Sequence, residues 1–157
     1  MATWSELRDA RPDLTDAGRG LLYQFGVGLA FLATVAHDGE PRVHPMCPLL
    51  SDDELFAFLV PSPKRRDLLC NGRYAMHSFP PPDNEDAFYL RGQAHAVDDD
   101  SLRAKLGRQF LEEREQLGLS LDDLADHMLF AFDIARCLLT RTTGHGDSNP
   151  QHTVWRA

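Results

Sequence analysis

Ser62, Pro63, Lys64, Arg65 and Arg66 carry the strongest chemical signal in the chain. Ser62 is a good helix N-cap and Pro63 suits the first helical position, so a helix is predicted to open here and to end at Asn71-Gly72. A helix start carries roughly half a positive charge and favours Asp or Glu, yet three cations come before Asp67. A bound anion resolves the conflict. Free backbone N–H groups, a hydroxyl and clustered cations at a helix start are the components of a phosphate site. A solvated basic turn is the plainer reading of the same residues. Lysine is scarce, with Lys64 and Lys105 the only two in 157 residues, and that sets Lys64 beside Ser62 apart.

The helix must be positioned by the strands before it. Leu29 to His37 is apolar, Asp38-Gly39 is a turn pair and Glu40 to Leu50 runs back, which predicts a hairpin closed by a two-residue type I′ turn. In the returning strand, alternation puts Glu40, Arg42, His44 and Met46 on one face and Pro41, Val43, Pro45 and Cys47 on the other. The first of these faces is polar and functional in character. After a Ser51-Asp52-Asp53 turn, Glu54 to Val60 is apolar on both faces, as expected of a strand between packed layers.

The remaining elements frame this unit. Thr3 or Ser5 can cap a first short helix, and Thr15-Asp16 begins a second that Gly26 and Gly28 break. Arg73 to Phe79 and Glu85 to Val97 read as strands separated by the rigid Pro80-Pro81-Pro82 loop, with Gly92 as a bulge or a point of close backbone approach. Asp98-Asp99-Asp100-Ser101 reads as the cap of a helix striped by Leu102, Leu106 and Phe110. Three consecutive carboxylates do not by themselves converge on a metal ion. Ser120 and Asp123 open another short helix to about His127, and Met128 to Thr140 is a sixth strand. Thr142 to Pro150 is a mobile surface loop, and Gln151 to Arg156 is a closing strand that carries Trp155 and Arg156. Such an order fits a mainly β domain with peripheral α-helices, a small antiparallel barrel.

Composition bounds the function. A formal charge of −8 opposes general nucleic-acid binding, while a local basic site can still take one small anion. No apolar run approaches the roughly 20 residues of a membrane span and the N-terminus lacks a basic-then-apolar signal, so a cytoplasmic protein is expected. Cys47, Cys70 and Cys137 are odd in number and widely spaced, and they read as reduced core thiols without metal-ligand spacing. His44, His77 and His95 fall on three different strands; each is most simply a hydrogen-bonded histidine, with a shared zinc or haem site as the sharper alternative and no metal expected. No Ser-His-Asp or Cys-His grouping is supported by spacing, and no catalytic side chain is assigned.

The run Leu32 to Leu50, with its Asp38-Gly39 turn and its Pro41-Arg42-Val43-His44-Pro45 return, followed by Ser62-Pro63-Lys64, resembles the pyridoxamine 5'-phosphate oxidase-like flavoproteins, the FMN-binding split-barrel superfamily. The resemblance covers roughly residues 25 to 98 and, by element order, the C-terminal third. It implies one FMN-binding split-barrel domain over residues 1–157, forming a homodimer with FMN at the interface. Carried residue by residue, it implies that Ser62 and Lys64, with Arg65 as a helper, hold the phosphate. Arg42 matches the arginine of the returning hairpin strand, Val43 and His44 offer contacts to the isoalloxazine, and Trp155 and Arg156 reach the cofactor from the C-terminal strand. Pro63 stands where the oxidases that name the family often have a second basic residue. The implied activity is flavin-dependent oxidoreduction of a small molecule, the cofactor carrying hydride or electrons. The chain is shorter than the vitamin-forming oxidases and lacks matches to their substrate-phosphate residues, so pyridoxamine phosphate is not the expected substrate. Two alternatives of the same fold remain. One is a deazaflavin-dependent reductase, whose coenzyme has a longer acidic tail suited to Lys64, Arg65 and Arg66; the other is a non-catalytic flavin- or haem-binding module.

Overall fold

The computed structural model describes residues 1–52 and 54–157. Asp53, in the turn expected before the third strand, lies outside the described residues. Two helices open the chain, α1 (Trp4–Ala10) and α2 (Pro12–Leu22). The hairpin β1 (Ala30–Val35) and β2 (Pro41–Met46) follows, then β3 (Leu49–Ser51), β4 (Glu54–Leu59) and α3 (Pro63–Asn71). The strands β5 (Arg73–Ser78) and β6 (Ala87–Ala96) precede α4 (Asp100–Glu112) and two short 3-10 turns. The chain closes with β7 (Met128–Arg141) and β8 (Gln151–Arg156).

All eight strands form one antiparallel, curled sheet in the order β2-β1-β5-β6-β7-β4-β3, with β8 added to β7. β7 organises it. Its first half pairs with β4, from Phe56 opposite Ala131 to Leu59 opposite Met128, and its second half pairs with β8, from Arg136 opposite Arg156 to Arg141 opposite Gln151. β6 runs along almost all of the other side. On the inner face, Leu32, Met76, Phe88, Leu90, Phe130 and Phe132 pack against Trp4, Leu7, Leu14 and Leu22 of the first two helices and Leu68 of α3. Each such fully buried side chain contributes roughly 1.5–3 kcal/mol. On the outer face a second core joins Leu49, Phe56, Phe58 and Leu129 to Leu106 and Phe110 of α4. The rest of that face, across β2, β1, β5, β6 and β8, carries no helix among the described residues.

Most expected elements are present, and four readings are corrected. The hairpin turn spans three residues instead of two: the Ala36 N–H donates to the Glu40 carbonyl at 2.9 Å and the Gly39 N–H to the Ala36 carbonyl at 3.0 Å. Only Gly39 takes a positive φ, +93°, and the Glu40 N–H donates to Asp38 Oδ1 at 3.1 Å. A type I turn closed by one left-handed residue satisfies the strands, and glycine takes that position without steric cost. Second, α2 begins at Pro12, with Thr15 Oγ1 turned inward to donate to the Pro12 carbonyl at 3.1 Å rather than capping a later start. Third, the returning strand splits at Cys47-Pro48, because proline has no N–H to continue the ladder, and β3 starts a new pairing with β4. Fourth, Cys137 is buried and Cys47 half-buried, but Cys70 is exposed and not a core thiol.

Gly92 meets both expectations placed on it. The β6/β7 register shifts between Arg91 and Gly92, and a Cβ at position 92 would lie 1.9 Å from the Asp133 carbonyl oxygen. The sheet's free edge at β2 carries Pro41 and Pro45, a position where missing donors are tolerated.

Candidate functional site: the α3 start against the hairpin

Helical spacing puts Lys64, Asp67, Leu68 and Asn71 on one side of α3. That side is zipped onto the hairpin. Lys64 Nζ donates to the Pro45 carbonyl at 2.9 Å, and Asn71 Nδ2 to the Val35 carbonyl at 2.7 Å. Between them the buried Asp67 carboxylate accepts from Thr34 Oγ1 at 2.7 Å and from an Arg42 guanidinium nitrogen at 2.9 Å. Thr34 and Arg42 are directly opposite one another on β1 and β2, so one carboxylate ties both strands to the helix.

The helix ends follow from the sequence. Ser62 Oγ accepts from the Arg65 N–H at 3.4 Å and itself donates to the Val60 carbonyl at 2.9 Å. Gly72 closes the helix in the left-handed conformation, at φ +66°. No acidic residue occupies the first turn. Among the described residues neither Lys64 nor Arg66 has a carboxylate partner, and burial lowers the Lys64 ammonium's pKa while nearby Cys47 opposes the shift.

His44 lies opposite the fully buried Leu32, on the face that α3 covers. Its Nε2 is buried without a hydrogen-bond partner. Burial, then Lys64, lower its pKa, and Arg42 adds to the shift while Asp67 opposes it. The ring is therefore neutral at pH 7, with an unsatisfied nitrogen close to clustered cations. Such a group is a candidate ligand contact.

The predicted residues do not all converge. Lys64, Arg42 and His44 lie together where α3 crosses β2, while the hydrogen bonds of the Ser62 hydroxyl stay within its own turn, to Val60 and Arg65. Val43 points to the opposite, outer face and is 67% exposed. Arg65 leaves the cluster, donating to the Asp126 carbonyl at 2.8 Å and the Leu59 carbonyl at 3.4 Å. Trp155 and Arg156 sit on β8 opposite Cys137 and Arg136, and β6, β5 and β1 separate β7 from β2 in the sheet. The three strand histidines are also apart. His77 lies opposite Phe31 on the outer face and bonds the Ser78 carbonyl through Nδ1 at 2.6 Å, while His95 Nδ1 faces Asp133 at 3.5 Å.

Two participants escaped the sequence reading: Asp67 and Thr34. The signal for Asp67 was its spacing of three from Lys64 and four from Asn71. Arg66 lines a cleft of about 260 Å³ with His37, Arg42, Asp67 and Cys70, which only the folded hairpin creates.

No protein-family model matches the chain, and no curated protein matches it in sequence. Solved structures do. An F420 reductase is 24% identical with a TM-score of 0.58, over 76% of this chain and 94% of that one. A candidate pyridoxamine 5'-phosphate oxidase from Listeria innocua is 15% identical with a TM-score of 0.62, over 78% and 94%. HutZ, the heme storage protein from Vibrio cholerae, is 16% identical with a TM-score of 0.62, over 92% of both chains. At these identities the fold is what is shared. The curled sheet with its four helices thus has the split-barrel fold that these structures share.

Proposed function

We propose that the protein binds FMN at the α3 start and acts as a flavin-dependent oxidoreductase on a small molecule. The observation that carries this reading is the Lys64 ammonium, with no carboxylate partner among the described residues, near His44 and its unsatisfied Nε2. Ser62 and Lys64 hold the phosphate, Arg42 keeps donors free beyond its bond to Asp67, and His44 contacts the ring system. Bound flavin supplies hydride or single-electron transfer, and the protein's part is to hold and orient it. Arg65 steadies the neighbouring Asp126 backbone and contributes long-range positive charge.

The reading includes a homodimer. Across the uncovered outer face, Phe31, Ala33, Val43, Tyr89, Leu138 and Val154 give an apolar surface, and an extended patch of this kind marks an interface. Val43, on that face, and Trp155 with Arg156, on the far flank of the sheet, reach a cofactor from a second protomer.

The decisive experiment is a visible spectrum of the purified protein after FMN is added and excess removed, with Lys64→Ala alongside. Retained flavin absorbance supports the reading, and Lys64→Ala weakens binding by about 1.5–3 kcal/mol, the scale of a hydrogen bond to a charged group. A wild-type protein that retains no flavin rejects it. The neutral, unpartnered His44 favours a second reading, haem held through Nε2, which a Soret band lost in His44→Ala would establish. A deazaflavin is the other phosphate-bearing coenzyme the α3 start suits, and comparing its affinity with that of FMN separates the two.

A further inference from the structure

Three arginines stand side by side on the outer face. Arg91 on β6 is directly opposite Arg136 on β7, and Arg136 is directly opposite Arg156 on β8. Directly opposed residues of antiparallel strands project to the same side, and neighbouring strands are only about 4.8 Å apart. Three guanidinium groups therefore share one rung of the sheet, about 10 Å from end to end.

Like charges so placed repel unless something compensates them. Among the described residues none of the three has a carboxylate partner, in a chain with 24 acidic and 16 basic residues. Several arginines elsewhere are paired: Arg11 with Asp13, Arg42 with Asp67, Arg141 with Asp86. Asp133, three residues before Arg136 on β7 and opposite Gln93, faces His95. Arg136 Nε is moreover buried without any acceptor. A buried charged donor left unsatisfied is costly, so the free protein is incomplete at this point. The rung adjoins a cleft of about 280 Å³ at the Gly92 bulge, lined by Arg73, Arg91, Gln93 and Ala135. Its polar lining is dominated by donors, and the bulge that Gly92 permits sets which β7 residue comes to lie beside Arg91.

We infer that Arg91, Arg136 and Arg156 form a second oxyanion-binding site, distinct from the α3 start, that takes the phosphate or carboxylate of a small anionic molecule. Planar guanidinium groups in a row match the geometry of such oxygens. The inference does not rest on the flavin reading. Arg156 is the one residue the two share, so the test is made at Arg91 and Arg136.

Pyrophosphate and citrate are titrated calorimetrically into the Lys64→Ala protein, which lacks the ammonium proposed for the α3 phosphate contact. The same titrations follow with Arg136→Gln or Arg91→Gln added, at constant ionic strength. In parallel, the Arg136 Nε–H resonance is followed by NMR in the wild type. Binding in the Lys64→Ala protein, at least tenfold weaker in either double variant, with a shifted Arg136 Nε–H signal, is expected. Pyrophosphate binding with no citrate binding assigns the site to phosphates, and the reverse assigns it to carboxylates. Equal binding in the Lys64→Ala protein and both double variants, or an Arg136 resonance that neither anion moves, overturns the inference. Loss of FMN binding in Lys64→Ala bears only on the α3 reading and leaves this outcome untouched.

Discussion

Arg42 and Arg136 are both strand arginines of the same sheet, Arg42 on its inner face and Arg136 on its outer face, and they end in opposite circumstances. Arg42 meets the buried Asp67, which also accepts from Thr34, so its charge is spent inside the architecture. Arg136 has arginines on both flanks and a buried Nε with no acceptor. The difference teaches that residue type and strand position do not assign a role to a guanidinium. Whether a carboxylate has been brought within reach does.

The comparison can be broken or sharpened experimentally. Removing the carboxylate, in Asp67→Ala, leaves Arg42 and the Thr34 hydroxyl without their acceptor. We expect a loss of about 2–3 kcal/mol in urea unfolding, below the full value for a buried pair because Arg42 is partly solvated. An unchanged midpoint would show that the ion pair is not architectural. Gly92→Ala drives a Cβ into the Asp133 carbonyl oxygen, and the resulting strain is expected to cost about 1–3 kcal/mol. It should also displace Arg91 from its place beside Arg136, which NMR shifts confined to β6 and β7 would report.

A smaller effect of opposite sign is expected on the unpaired side. Arg136→Gln relieves like-charge repulsion with two neighbours and should stabilise the anion-free protein by up to about 1 kcal/mol at low salt. The gain should shrink as salt screens the row. A loss of stability at low salt would indicate that the row is already compensated.

The smallest effect belongs to His44 and His127, whose pKa values are both lowered. Burial is the first cause at each; Lys64 and Arg42 add to it at His44, and Arg103 and Arg65 at His127, with Asp67 and Asp126 opposing respectively. A histidine that ionises less readily when folded lets the unfolded chain take up the proton first. Its contribution to stability is therefore whole above the unfolded value near 6.5 and is lost as pH falls through the window down to the folded value. The urea midpoint should fall between pH 7 and 5, and His44→Gln should flatten part of that slope. A midpoint that rises on acidification would contradict the assignment.

Much of the α3 region was legible because its signals are local. Ser62, Pro63 and Gly72 mark both ends of the helix within ten residues, and Thr3 with Glu6 forms the capping box that opens α1. The hairpin itself was legible, but its turn type was not. Asp-Gly serves a two-residue turn and, equally, the end of a three-residue one, and the choice depends on which strand residues pair. The Asp67 tie joins residues 25 and 33 positions apart, so it exists only once α3 lies on β1 and β2. The arginine row was the least legible of all. A single bulge decides which β7 residue faces Arg91, and a one-residue slip would send its neighbour to the other face. Residues 91, 136 and 156 have no relation along the chain.

The prolines of β2 have a consequence for how copies of this protein can meet. An open sheet invites foreign strands to extend it, the route by which exposed edges seed aggregates. Here that invitation is withdrawn at one border. Pro41 and Pro45 offer no donors, and the Pro45 carbonyl is already held by Lys64. At the other end of the sheet path, β3 is three residues long, too short to template a neighbour. Growth by strand addition is thereby disfavoured at both ends of the path, which leaves β8, off that path, as the strand whose edge a neighbour could extend.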